Sequence, residues 1–426
     1  MKKYRHRILD SLLKKKLQSK GAIVIEGPKW CGKTTTAAEF SSTKVMLAKA
    51  NVKENFNSLL EIDTDLALTG EVPMLFDEWQ TVPKLWDAVR CAVDERQEMG
   101  QFILTGSAVP NKEAEAQREH SGTGRFAWLT MRPMTLWESG DSSGAVSLGD
   151  LFSAPEKILA KNRLKMTDIA YLICRGGWPI AVDLPKEAAL EQAYDYYDAV
   201  TMEDITRVDG VKRSSERVQR LMRAYARHQG TQASIATIKE DLKNNDASTI
   251  DDDTINSYLD TLRKIFVVED MPAWNPNLRS KTAIRTADTR YFVDPSIATA
   301  ALGLGPADLI GDLNTMGLLF ETLCVRDLRV FAEALNGKVY HFRDKNGLEC
   351  DAVVHLRNGQ YGLIEIKLGG ESLINDGVET LNALAGKIDT DHMKAPSFKM
   401  ILTAVGDYAY RRKDGIYIVP LGVLKD

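Results

Sequence analysis

Cysteine is scarce in this 426-residue chain: Cys31, Cys91, Cys174, Cys324 and Cys350 are an odd number, scattered, with no CxxC pair. That excludes a zinc framework built on cysteine pairs and fits free thiols in a reducing compartment. Long apolar runs are missing too. None approaches the roughly 20 residues of a membrane span, and the basic opening MKKYRHRILDSLLKKKL lacks the apolar core of a signal peptide. The expectation is a cytoplasmic protein with no membrane partner. Excess charge of either sign is also absent: 55 basic against 59 acidic residues give a net charge of −4, so any nucleic acid must be met by local basic patches. There is no internal repeat and no low-complexity segment.

What is present, 44% apolar and 27% charged residues over this length, suits an α/β protein of two to four domains. An amphipathic helix with Ile8, Leu12, Leu13 and Leu17 on one face precedes the apolar strand GAIVIEG, residues 21–27. Strands and helices then alternate through VPMLFDE, LWDAVRCAVDERQ and QFILTGS, the pattern of a parallel sheet covered by helices. The run SGDSSGAVSLGD marks a solvated loop and a boundary. From it we expect a parallel-sheet α/β core over 1–145 and a helical lid or connector over 146–212. A region of three helices and a hairpin over 213–305 has the order of a winged helix-turn-helix, and 306–426 is expected to be an α/β domain.

Gly27-Pro28-Lys29-Trp30-Cys31-Gly32-Lys33-Thr34 fits G-x-x-x-x-G-K-[ST] between a strand and a helix, the context the motif requires. Backbone N–H groups of the loop face phosphate oxygens. Lys33 is expected on the β- and γ-phosphates of ATP and Thr34 on Mg2+, with Thr35 beside them. The strand MLFDE supplies Asp77 as a second magnesium ligand and Glu78 to orient the attacking water. A strand end carrying solvated acids is the plainer alternative. Thr105 and Ser107 end the next strand, where a hydroxyl senses the γ-phosphate or simply makes a turn. Arg125, in a glycine-flexible loop, is either an arginine finger, in cis or in trans, or a solvated side chain; the trans role requires a homo-oligomer.

Together GPKWCGKTT, LFDEWQTVPKLW, FILTGSA, GTGRFAWLTMRPMTLWE and CRGGWP resemble the AAA-type ATPases of archaea and bacteria that carry a C-terminal domain of unknown function with a nuclease-like fold. The resemblance covers nearly the whole chain in motif order. It departs at Trp30-Cys31, where the family has a polar residue and a small aliphatic one.

In the C-terminal part, Asp351 and Glu365-Ile366-Lys367 make a D-x13-E-x-K pattern on adjacent apolar strands. Residues two apart share a strand face, so Glu365 and Lys367 aim at one point that Asp351 can join. With Glu321 as a further ligand, this resembles the restriction-endonuclease-like PD-(D/E)xK fold, which implies metal-dependent DNA cleavage. A salt bridge at the surface is the other reading. The helix expected in the DNA groove opens on Asp251-Asp252-Asp253, which repels phosphate. Basic side chains stand instead on the first helix (Arg217, Arg220, Arg223, Arg227) and on the wing (Arg279, Lys281, Arg285, Arg290). DNA and a protein partner both remain open.

Overall fold

The computed structural model describes residues 4–107, 122–207, 211, 213–246, 250–279 and 283–426. The chain forms two compact units: Met1–Pro133 with Met202–Arg213 and Asp260–Val267, and Met134–Thr201 with Ser214–Leu259 and Val268–Asp426.

Strands β1 (Ala22–Glu26), β2 (Thr43–Met46), β3 (Met74–Asp77), β4 (Phe102–Gly106) and β5 (Phe126–Thr130) make a parallel sheet in the order β2-β3-β4-β1-β5. The buried apolar runs of β1, β3 and β4 need helices on both faces, because a parallel sheet has no solvated side. One face holds Val24, Phe76, Leu104 and Trp86, the other Ile25, Leu75, Ile103 and Leu13. Trp79 and Trp86, from the LFDEWQTVPKLW run, serve this core: Trp86 stacks on Phe126 at 4.1 Å and lies 5.2 Å from Trp79. Such aromatic pairs add about 1 kcal/mol each beyond their buried area.

The second unit has a helical region and a mixed sheet. Its strands are β6 (Val146–Ser147), β7 (Leu159–Lys161), β8 (Gly337–Arg343), β9 (Glu349–Leu356), β10 (Tyr361–Lys367), β11 (Phe398–Thr403), β12 (Tyr408–Arg411), β13 (Tyr417–Pro420) and β14 (Leu424–Lys425). Seven of them run β7-β12-β13-β11-β10-β9-β8, and β6 pairs with β14. The helix Glu371–Lys387 lays Val378, Leu381 and Leu384 on Leu363, Ile401 and Ile418.

The solvated loop expected around 141–160 corrects to an ordered part of this unit. Ser142 and Ser147 donate to the carbonyls of Leu424 and Asp426, both at 2.7 Å. The residues are polar because they staple backbone to backbone. Three helices, Ser215–Arg227, Ile235–Asp246 and Asp252–Lys264, stand where the sequence placed them. The hairpin after them is reduced to antiparallel bridges, Val268 with Phe292 and Met271 with Thr289, and Ala273 goes on to pair with His341 of β8.

At the centre of this unit Arg326, buried in the helix Leu313–Ala334, is 2.9 Å from Asp294 and 2.7 Å from Asp327. Asp294 also accepts the N–H of Gly177, while Asp327 accepts that of Leu136. A Cβ on Gly177 would lie 2.2 Å from the Met134 carbonyl oxygen, so only glycine fits there. Trp178 donates to Ser296 at 2.9 Å, and Arg175 pairs with Asp141 at 2.8 Å. The CRGGWP run is thus a packing motif of the second unit.

Candidate functional site

The phosphate loop leaves β1 at Gly27, whose φ of 148° and whose approach to the Met131 carbonyl (a Cβ would be 2.0 Å away) leave no room for a side chain. Gly32 caps the helix Lys33–Glu39, so the helix N-terminus points at the loop. Lys33 is buried and its ammonium rests on the carbonyls of Gly27 and Pro28 at 2.8 and 2.7 Å. The Trp30-Cys31 departure divides the loop: Trp30 adopts φ 64° and is 42% exposed, while the Cys31 thiol points inward and donates to the Met131 carbonyl at 3.3 Å.

Asp77 is the convergence point. Its Oδ1 accepts the Thr34 hydroxyl at 2.7 Å and the Thr105 hydroxyl at 2.6 Å. The parallel register pairs Asp77 with Thr105, which brings the second hydroxyl there without any special loop. Glu78, in the left-handed region at φ 57°, turns from the strand end to accept from Ser107 at 3.0 Å and Gln80 at 2.5 Å. A non-glycine residue there costs about 1–3 kcal/mol and marks a site where direction matters. Thr34 hydroxyl and Asp77 carboxylate are oxygen donors of the kind Mg2+ takes. Thr35 is exposed on the first turn of the same helix.

Sequence reasoning missed three residues around this loop. Arg7 is buried and donates to the carbonyls of Cys31 and Arg132, both at 2.8 Å. Tyr4 shares a hydrogen bond with Thr36 at 3.0 Å. Asp204 pairs with Lys29 at 2.5 Å. Only the basic cluster at residues 4–7 could have hinted at the first of these.

Arg125 is not brought to the phosphates. It precedes β5, and its carbonyl accepts the N–H of Ala22 at the start of β1, whereas the loop leaves the other end of that strand. Five residues at about 3.3 Å each separate the two ends. Its guanidinium pairs with Asp94 at 2.7 Å, which holds it above the ordinary arginine value. The role in cis is corrected by this placement.

In the second unit Lys367 lies between two carboxylates, 2.7 Å from Glu365 and 3.2 Å from Asp351. Asp351 also accepts the Ile366 N–H at 2.7 Å. Glu365 is 3% exposed and its Oε1 has no hydrogen-bond partner among the described residues. Burial first, then the charge of Asp351, pushes its carboxyl up to about 8 against the pull of Lys367. Burial would lower the Lys367 ammonium, but the two carboxylates outweigh it and raise it. Glu321 faces this group yet is engaged by the Tyr291 hydroxyl, and burial and Asp351 raise it well above the usual carboxylate range. Among the described residues no three His, Cys, Asp or Glu side chains stand close enough to hold a metal ion. Asp351 and Glu365 are thus held by one lysine, with Glu321 held by Tyr291 beside them.

The basic residues expected on DNA are largely engaged elsewhere. Arg227 pairs with Asp241 at 2.5 Å, Arg220 with Glu216 at 2.5 Å and Arg290 with Asp270 at 2.8 Å. Arg223 donates to the Ala301 carbonyl at 3.4 Å and Arg279 to Thr390 at 2.9 Å. Lys281 lies outside the described residues. Asp251 caps its helix by accepting from the N–H and hydroxyl of Thr254, both at 2.8 Å, and Asp252 pairs with Lys239 at 2.7 Å. No helix among the described residues is long and apolar enough to cross a membrane.

Residues 19–139 match a family described as an AAA domain, residues 166–308 one described as a domain of unknown function (DUF8612), and residues 316–424 another described as a domain of unknown function (DUF4143). Uncharacterised proteins of Mycobacterium bovis and Mycobacterium tuberculosis are each 22% identical over 362 residues, 83% of this chain and 72% of theirs. A Walker-type ATPase of Pyrococcus abyssi is 13% identical with a TM-score of 0.42, covering 70% of this chain and 96% of its own. The chain is therefore similar to AAA domains in the part that carries the P-loop on a five-stranded parallel sheet, and to DUF4143 in its C-terminal part.

Proposed function

We propose that the chain binds ATP with Mg2+ at Gly27 to Thr34 and hydrolyses it. The observation that carries this reading is the pair of hydroxyls, Thr34 and Thr105, donating to one oxygen of Asp77 beside the loop. Thr34 and Asp77 would hold the ion, which neutralises the charge of the transferred phosphate. Glu78, aimed by Ser107 and Gln80, orients the attacking water. The test is ATP turnover by the wild-type chain against Lys33→Ala; equal rates would sink the assignment.

The finer reading divides the chain into an ATPase core (1–145), a helical connector (146–212), a winged helix-turn-helix (213–305) and a PD-(D/E)xK nuclease-like domain (306–426). ATP binding controls a phosphodiesterase site at Asp351, Glu365 and Lys367 that acts on DNA. Its support is the convergence of those three side chains and the unpartnered oxygen of buried Glu365. Such an oxygen is costly unless a ligand takes it, and the two carboxylates would hold Mg2+. Plasmid and linear DNA are incubated with Mg2+ or Mn2+, with and without ATP. Cleavage lost in Asp351→Ala supports the reading, and a further loss in Lys33→Ala ties it to ATP.

A second reading is favoured by the occupied arginines and the capping role of Asp251. In it the nucleotide state is passed to a protein partner, or to a second copy of the chain, without DNA cleavage. Cleavage absent while ATPase remains would select it.

A further inference from the structure

The ion pair between Lys29 and Asp204 joins two parts of the first unit that are far apart in sequence. Lys29 lies on the rim of the phosphate loop, next to Pro28, whose carbonyl already receives the Lys33 ammonium. Lys33 thus binds the loop backbone while Lys29, from the same loop, reaches out to Asp204. Asp204 is only 8% exposed and belongs to Met202–Arg213, a segment whose chain neighbours on both sides are assigned to the second unit. It closes a π-helical turn, Val200–Asp204, a conformation rare in proteins and concentrated at functional sites. The pair is not a surface ornament: the carboxylate is nearly buried, while the lysine is 41% exposed and able to swing.

We propose that Lys29 and Asp204 form the γ-phosphate sensor of this site, a reading that rests on the ATP assignment above. A γ-phosphate on the loop offers Lys29 a stronger anion than a single carboxylate and brings negative charge toward Asp204. Lys29 transfers to the phosphate, Asp204 loses its partner, and the turn at residues 200–207 is released from the loop. ADP, without the γ-phosphate, leaves the pair closed. Lys29 is the group that meets the phosphate, and Asp204 is a positioning residue that acts through Lys29.

Binding of ATPγS and of ADP to the full chain is measured by calorimetry for wild type, Asp204→Asn, Lys29→Gln and the double variant. Asp204→Asn frees Lys29 and removes the repulsion, so it binds ATPγS about tenfold more tightly, with a smaller change for ADP. Lys29→Gln loses preference for ATPγS, and in the double variant the gain from Asp204→Asn disappears, the non-additivity expected of partners. Asp204→Glu keeps the wild-type ratio. Hydrogen exchange over residues 200–207 is faster with ATPγS than with ADP in wild type. A merely structural pair would move both nucleotides alike, and that result, additive single effects, or unchanged exchange would overturn the sensor. If Asp204→Asn does not fold, Lys29→Gln, at an exposed position, carries the same comparison. Wild-type chain that binds no ATPγS at all would sink the ATP assignment and the sensor with it; binding with an unaltered ratio in the variants would sink the sensor alone.

Discussion

Thr105 gives its hydroxyl hydrogen to Asp77 at 2.6 Å from the neighbouring strand, and the oxygen that receives it is the one Thr34 also uses. One carboxylate oxygen thus orders two hydroxyls from separate elements. Thr105→Val keeps the shape and removes one donor. We expect a stability loss of about 1 kcal/mol in urea unfolding and a fall in ATP turnover, with nucleotide affinity little changed. Unaltered turnover would show that Thr105 only packs.

Lys33→Ala and Glu78→Gln separate binding from chemistry. The first loses tight ATP binding. The second binds ATP normally and hydrolyses it roughly 100-fold more slowly, since a positioned base contributes about that much. Calorimetry with single-turnover assays distinguishes them. A Glu78→Gln chain with wild-type turnover would exclude Glu78 as the residue that directs water.

How much of this site was legible in the sequence follows from which contacts are local. The loop, Asp77 and Glu78 are set by neighbours in one strand or turn, and their motif states them. Asp204 and Arg7 reach the loop through tertiary packing over long separations, and no spacing announces that. Arg125 misled because a flexible glycine run says nothing about which end of a parallel sheet it occupies. In the second unit β8, β9, β10, β11 and β13 were readable as apolar runs. The short strands β7 and β12 and the helix Glu371–Lys387 were not: the strands show only three or four residues each, and packing on Leu363 and Ile401 decides the helix.

Arg326→Ala should be among the most destabilising single changes. It leaves Asp294 and Asp327 buried without their cation, a loss of about 3–5 kcal/mol. Urea unfolding followed by circular dichroism measures it. A shift under about 1 kcal/mol would mean that both acids find other partners.

Asp344 offers a test on the acid side. Burial alone would raise its carboxyl, but Lys387 at 2.8 Å and the N–H groups of Leu348 and Asn346 outweigh that and hold it below its ordinary 3.8. A depressed carboxylate contributes stability above its unfolded value and loses it as pH falls through the folded value. Asp344→Asn should therefore be less stable than wild type at pH 7, and the gap should close below about pH 4. Parallel urea midpoints from pH 7 to pH 3 check this; a gap independent of pH would assign the effect to shape instead of charge.

The three buried charges around Arg326, with the glycine that allows them to meet, also constrain how this protein can diverge. Losing the arginine strands two acids, losing one acid leaves Arg326 with a single partner, and widening Gly177 pushes the Met134 backbone away. Each single step removes a partner or a close contact. A change at any one of these positions should therefore be tolerated only together with a compensating change at its partners.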